Sequence, residues 1–265
     1  MMRSGKGSDN EIGNGILETI NSAVLSCERD NDLGKMWKEP IIEIISANNE
    51  ELKKLKEIVH DKHCLPGDIL SDAKSIISFF IPFHDSIPDS NIDGLMASKE
   101  WAITYVKTNE LIKLIGDKIE VFMDKYGYKT GKIPATHNYN EEDLISNWSH
   151  RHIAYMCGMG TFGRNNMLIT KNGCCGRLGS IVINYEFAEY KSKAKNNEMC
   201  LSKSGKVCDI CRGKCMVSAY EDNVFNRFKC HAQCKKNSKY HEKLGIADVC
   251  GKCLVGLPCS TRAPL

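Results

Sequence analysis

Nine of the fourteen cysteines fall in the last 66 residues, at Cys200, Cys208, Cys211, Cys215, Cys230, Cys234, Cys250, Cys253 and Cys259. Cys208-x2-Cys211-x3-Cys215 is followed, after a gap, by Cys250-x2-Cys253-x5-Cys259. Thiolates so spaced bind soft metals. Paired C-x2-C hooks suit structural zinc, whereas a close triple such as Cys208, Cys211 and Cys215 suits a cuboidal iron–sulfur cluster whose fourth iron is reached by a distant cysteine. The triple favours iron–sulfur, although two zinc ions would use the same eight thiols. A disulfide framework needs an oxidising compartment. The chain opens MMRSGKGSDN, without an apolar targeting stretch or cleavage site, and holds no run of about 18 apolar residues, so a cytoplasmic protein without a membrane segment is expected.

The thiols divide by the exchange pattern of two-cluster ferredoxins, in which the last cysteine of each run serves the other cluster. Cys200, Cys208, Cys211 and Cys259 then hold one centre, and Cys215, Cys250, Cys253 and either Cys230 or Cys234 hold the second. The bacterial C-x2-C-x2-C-x3-C-P loop itself is not reproduced. Cys200 stands eight residues before Cys208, and Met216 and Ser260 follow where that run has proline. Residues 191–265 carry 15 Lys and Arg against 6 Asp and Glu, a net +9 that leaves −6 for the first 190 residues of a chain whose total is +3. Cluster charge omitted from that count would neutralise part of the excess.

A second constellation lies at residues 149–184, where Gly158, Gly160, Gly163, Gly173, Gly176 and Gly179 separate a helix-like HIAYMC from two strand-like runs. Glycines there let the backbone turn tightly and approach a flat or bulky ligand. Gly158-x-Gly160-x-x-Gly163 has dinucleotide-motif spacing, but it follows a helix and leads into a strand, the reverse of what that motif needs.

The elements that position these residues read as a mixed helix and strand domain. Helical spacing from Trp101 through Ile112, Ile115, Ile119 and Met123 predicts a helix over 100–126, closed by Gly127. SIISFFIPF (75–83) and GSIVINY (179–185) predict buried strands, and 51–60 a short amphipathic helix. Residues 1–14 read as a mobile polar lead-in. The charge step places a boundary between an α/β domain, 1–195, and a cysteine module, 196–265.

GMGTFGRNNMLI resembles the GLGWIGKNTLLI-type signature of epoxyqueuosine reductases, and RLGSIVIN resembles the FLGEILT-type strand that follows it. LPGDILSDAKSIISFFIPF (65–83) is similar to the family's proline-bearing strand segment, and the eight-cysteine tail matches in order, so the resemblance covers about residues 50–260. It implies a cobalamin-dependent iron–sulfur reductase related to reductive dehalogenases. A flavin-free, nitroreductase-like α/β (α+β) domain would hold the corrinoid, and a ferredoxin-like module with two [4Fe-4S] clusters would pass it electrons from a ferredoxin or flavodoxin. Corrinoid contacts would come from Gly158, Gly160, Gly163, Arg164, Asn165, Asn166, Gly176 and Gly179. His152 takes the place of the family's catalytic aspartate, with Tyr155 one helical turn away as the alternative proton donor. The family continues into tRNA-gripping helical repeats beyond the point reached six residues after Cys259, so a small-molecule substrate is expected before tRNA. An electron-transfer or corrinoid-reducing protein is the alternative, and a tRNA epoxyqueuosine reductase a further one. Cys174 and Cys175 read as small turn residues, Cys27, Cys64 and Cys157 as packing, and the surplus of thiols leaves His231 unneeded as a substitute ligand.

Overall fold

The computed structural model describes residues 7–29, 34–134, 139–188, 197–221 and 224–265. Helix α1 (Asp9–Arg29) leads to strand β1 (Ile41–Ser46), a 3-10 turn continued by α2 (Leu55–Ile58), and α3 (Pro66–Ile69). Then come β2 (Ser75–Pro82), α4 (Ser86–Ser90), the long α5 (Lys99–Asp124) and β3 (Thr130–Lys132). Helix α6 (His150–Met156) precedes a hairpin of β4 (Gly160–Phe162) and β5 (Leu168–Thr170), and β6 (Gly176–Ile183) closes the main sheet. The cysteine-rich tail holds α7 (Ile210–Gly213), a small ladder of β7 (Tyr220–Glu221) with β8 (Val224–Phe225), and α8 (Arg227–Tyr240).

The main sheet runs β1-β2-β6-β3, antiparallel throughout. All eight residues of β2 are buried, as an isoleucine- and phenylalanine-rich strand between two partners should be. Its alternation divides the core. Ile77, Phe79 and Ile81 join the α1 and α5 side, while Ile76 packs with Trp148, Ile153 and Cys157, and Phe80 with Ala154, Met159 and Leu168. The predicted helix and both predicted strands lie where expected, and Gly127 ends α5 with φ +77°.

The amino-terminal lead-in is corrected for residues 9–14, which form the first turns of α1. Ile12, Ile16 and Ile20 recur at helical spacing and are fully buried or nearly so against α5. The polar residues between them obscured that stripe in the sequence. Asp9 also accepts a hydrogen bond of 2.6 Å from the Tyr185 hydroxyl. Residues 1–6 lie outside the described residues, as does the 195/196 boundary. The tail shares the core's packing: Val255 is fully buried in the α1 and α5 cluster, with Val249 and Leu254 against it.

Candidate functional site

The nine tail cysteines ring two separate hollows. Cys200, Cys208, Cys211 and Cys259 line the smaller one, together with Gly163, Arg164 and Asn165 of the loop after β4. Cys215, Cys230, Cys234, Cys250 and Cys253 line one side of a larger cavity of about 410 Å³. The grouping ignores sequence proximity. Cys211 and Cys215 belong to one short run yet face different hollows, whereas Cys211 and Cys259 come together from opposite ends of the tail. Among the described residues, no group of three or more His, Cys, Asp or Glu side chains is placed to hold a single metal ion.

Local structure explains how each thiol is held. Cys230 and Cys234 are one turn apart on α8, so both face inward. Cys234 donates to Cys230, which lowers the Cys230 pKa, as does the nearby Arg151 charge, while the same bond and burial raise that of Cys234. Burial pushes Cys253 up to about 12 and Cys211 up to about 11. The Ala219 N–H donates to the Cys215 sulfur at 3.2 Å, and Tyr220 Oη lies 3.8 Å from the Cys253 sulfur. Such donors to sulfur set the potential of a thiolate-bound centre.

Across the larger cavity stands the core. Phe80 and Leu178 of the sheet and Trp148 supply apolar lining, beside the α6 residues His150 and Arg151. His150 is locked in one tautomer. Trp148 Nε1–H donates to Ser180 Oγ at 2.9 Å, Ser180 Oγ lies 2.8 Å from His150 Nδ1, and His150 Nε2 lies 3.1 Å from the Pro134 carbonyl. Satisfied donors run one way along this chain, with His150 donating to Pro134. Burial lowers the His150 pKa to about 4, so the ring is neutral at pH 7. On the α5 side the Tyr105 hydroxyl donates to Asp248 Oδ1 at 2.8 Å, and the Arg177 guanidinium sits 4.3 Å from the centre of the Tyr105 ring.

His152 and Tyr155, the residues expected to donate a proton, do not line this cavity. They point from α6 towards β4, where both rings pack on Phe162 with centroids 4.8 and 5.6 Å away. His152 Nδ1 lies 2.7 Å from Ser149 Oγ. Desolvation, with the Arg151 and His63 charges, lowers its pKa to about 4. Two helix positions decide the outcome: His150 and Arg151 face the cavity, and His152 faces its own hairpin.

The expected corrinoid contacts divide in the same way. Of them only Gly176 lines the larger cavity. Gly163, Arg164 and Asn165 line the smaller hollow. Asn165, almost fully buried, donates from Nδ2 to the Cys253 carbonyl at 3.0 Å, and Arg164 lies 3.6 Å from Asp209, so this loop fastens the core to the tail. Asn166 takes a left-handed turn with φ +59°, its carbonyl accepting from Arg151 at 2.6 Å. Gly158 ends α6 with φ +75°. A Cβ on Gly160 would meet the Ile169 carbonyl at 2.1 Å, and one on Gly179 the Phe79 ring at 2.3 Å. Their close approaches are to the chain's own strands, across the ladders β4-β5 and β2-β6. Tyr105, Arg177 and Asp248 were passed over in the sequence. One signal was available: a tyrosine inside the α5 apolar stripe, four residues after Trp101.

Compared by sequence, the chain matches no family model and no curated protein. Compared by fold, it is similar to an epoxyqueuosine reductase solved with a tRNA-Tyr epoxyqueuosine-modified stem loop, at 16% identity and TM-score 0.56, over 96% of this chain and 66% of that one. The Bacillus subtilis epoxyqueuosine reductase, solved with its catalytic loop swung out of the active site, gives 15% identity and TM-score 0.55 over 92% and 66%. A catabolic reductive dehalogenase gives 12% identity and TM-score 0.54 over 94% and 37%. The chain thus has the mixed α/β fold seen in those proteins and spans about two thirds of the length of the epoxyqueuosine reductases.

Proposed function

We propose that the chain is a reductase that uses cobalamin and two [4Fe-4S] clusters, with electrons entering through the tail and reaching a substrate in the larger cavity. One observation carries this reading: the thiols expected to form the second cluster set and apolar residues of the core, Phe80, Trp148 and Leu178 among them, line one and the same cavity. Two hollows with four and five tail thiols, the larger also lined by Cys174 of the core, fit two cuboidal clusters, with one of Cys230 and Cys234 to spare. The cavity, at about 410 Å³, falls within the size range of small-molecule sites and takes the reacting face of a larger cofactor better than its whole bulk. A corrinoid bound there would supply low-potential cobalt chemistry, and the clusters single electrons.

The chain's own residues supply placement and protons. Phe80, Trp148 and Leu178 exclude water from the wall facing the thiols. The Tyr105 hydroxyl, aligned by Asp248 and backed by the Arg177 charge, is the proton source of this reading, replacing His152 and Tyr155. Many soft thiols suit a reducing cytoplasm. The placement of His152 and Tyr155 away from the cavity also favours a second reading, an electron-transfer or corrinoid-reducing protein with no substrate of its own. Epoxyqueuosine in tRNA is a further candidate substrate, tested by a tRNA mobility shift at stated salt.

The test is anaerobic reconstitution followed by an absorption spectrum with iron, zinc and cobalt counts. About eight irons and one cobalt per chain support the reading. Stoichiometric zinc without iron absorbance refutes it.

A further inference from the structure

All three tryptophans of the chain are buried, and two have their indole N–H satisfied within it. Trp37 Nε1–H donates to Thr108 Oγ1 at 2.8 Å, and Trp148 Nε1–H to Ser180 Oγ at 2.9 Å. Trp101 differs. It is 2% exposed, and its Nε1–H has no hydrogen-bond partner among the described residues. A buried donor left unpaired loses its hydration without recompense, so such a group in a folded protein calls for an acceptor beside it. The ring is held on α5 at the lining of the larger cavity, edge to face with Phe83 at 5.2 Å between centroids. It lies against the turn between Cys250 and Cys253, where a Cβ on Gly251 would stand 2.3 Å from Cζ2 and 2.7 Å from Nε1. Three carbonyls of that turn are already engaged: Cys250 by Asn91 at 2.9 Å, Gly251 by the Leu254 N–H at 2.9 Å, and Cys253 by Asn165 at 3.0 Å. What the turn still offers as acceptors is sulfur.

We propose that the Trp101 indole N–H donates a hydrogen bond to a sulfur of the iron–sulfur centre held by the Cys250 and Cys253 run, a thiolate or a bridging sulfide, and raises the potential of that centre. This rests on the reading of the larger cavity's thiols as a cluster site and adds a residue that tunes the cluster without binding iron. Hydrogen bonds to the sulfurs are among the terms that set such potentials. A donor there stabilises the more negative, reduced form more than the oxidised one, so its removal lowers the potential. The position is built for the task. Ser98 Oγ caps α5 by accepting from the Trp101 backbone N–H at 3.1 Å, which fixes where the side chain leaves the helix, and Gly251, with φ +73°, leaves the space the ring occupies. Any residue with a side chain at 251 would push the indole off the turn.

The experiment compares anaerobically reconstituted wild type with Trp101→Phe, which keeps an aromatic ring and removes the N–H. Redox titration followed by electron paramagnetic resonance reads the potential of each centre. At the wild-type midpoint, the ratio of reduced to oxidised form should fall roughly three- to fivefold for one centre in Trp101→Phe, the scale of a single hydrogen bond, and stay unchanged for the other. Trp37→Phe, which loses an indole N–H committed to Thr108, should shift neither. In wild type carrying isotope-labelled indole nitrogen, pulsed resonance of the reduced protein should show a nitrogen coupling that is absent from Trp101→Phe. Unchanged potentials, or a wild type without that coupling, overturn the proposal. A Trp101→Phe protein that loses cobalamin affinity at unchanged potentials also overturns it and gives the N–H to the corrinoid instead. Where Trp101→Phe takes up too little iron to titrate, the coupling in wild type decides alone. Failure of the cluster reading shows at an earlier step, as wild-type protein that takes up no iron, and removes the donor's role with it.

Discussion

The division of thiols between two hollows gives a prediction that sequence spacing alone would reverse. Two double variants carry it: Cys211→Ser with Cys215→Ser, and Cys211→Ser with Cys259→Ser. The first pair is adjacent in sequence but divided between the hollows; the second is distant in sequence but shares one hollow. If each hollow holds one cuboidal cluster, the reconstituted wild type carries about eight irons. Removing two thiols from one hollow leaves the other set whole, so the Cys211 and Cys259 pair should retain about four. The Cys211 and Cys215 pair damages both sets and should retain almost none. The hollows are separate, with the loop 163–165 and the Cys174–Cys175 backbone tied to Cys259 and Ser260 at 2.9–3.0 Å, so loss on one side need not spread to the other. The assay is iron and sulfide content, with the resonance of the reduced protein distinguishing one cluster from none. Half the iron in the Cys211 and Cys215 variant, with an empty Cys211 and Cys259 variant, would refute the assignment.

Tyr105→Phe removes the cavity hydroxyl without changing the packing, and should lower turnover by roughly 10²-fold while both cofactors are retained; His152→Ala should stay within about twofold. Steady-state rates on a common substrate separate the two. Gly179→Val forces a side chain into the Phe79 ring, so thermal unfolding should show a loss of about 1–3 kcal/mol, and protein that remains folded should bind cobalamin as before. In protein without metal, Cys230 should be alkylated at lower pH than an ordinary thiol because Cys234 and Arg151 favour its thiolate, and Cys234 only at higher pH; peptide mapping by mass spectrometry across pH reads both.

Much of this arrangement is written in local chemistry. The SIISFFIPF run gives a buried strand because every position finds apolar company, and the α5 stripe gives a helix because its period is helical. The expected partition of thiols rests on ligand exchange between runs, and the two hollows bring the same cysteines near one another without showing a cluster. What the sequence did not show is direction. His150 and His152 differ by two positions on one helix, about 200° apart around its axis, and only the packing of α6 against Phe162 decides which meets the cavity. The glycines misled for a related reason. A missing Cβ marks close approach without naming the neighbour, and at Gly160 and Gly179 the neighbour is another strand. Tyr105 was hidden because an aromatic in an apolar stripe looks like core until Asp248, from the far end of the chain, comes within 2.8 Å.

The same long-range contacts turn part of the tail's basic charge inward. Lys252, between Cys250 and Cys253, is almost fully buried, its amine donating to the carbonyls of Asn91 and Asp93 at 2.9 and 2.6 Å. Asn91 in turn donates to the Cys250 carbonyl at 2.9 Å, and Gly251, with φ +73°, leaves no room for a Cβ beside Trp101. The second cysteine run is thus fixed to α4 and α5 through its backbone. Burying an ammonium is unfavourable unless charge of the opposite sign lies near. Lys252 beside Cys250, and Arg151 beside Cys230, are the cations a thiolate-held cluster would require, which accounts for basic residues turned inward.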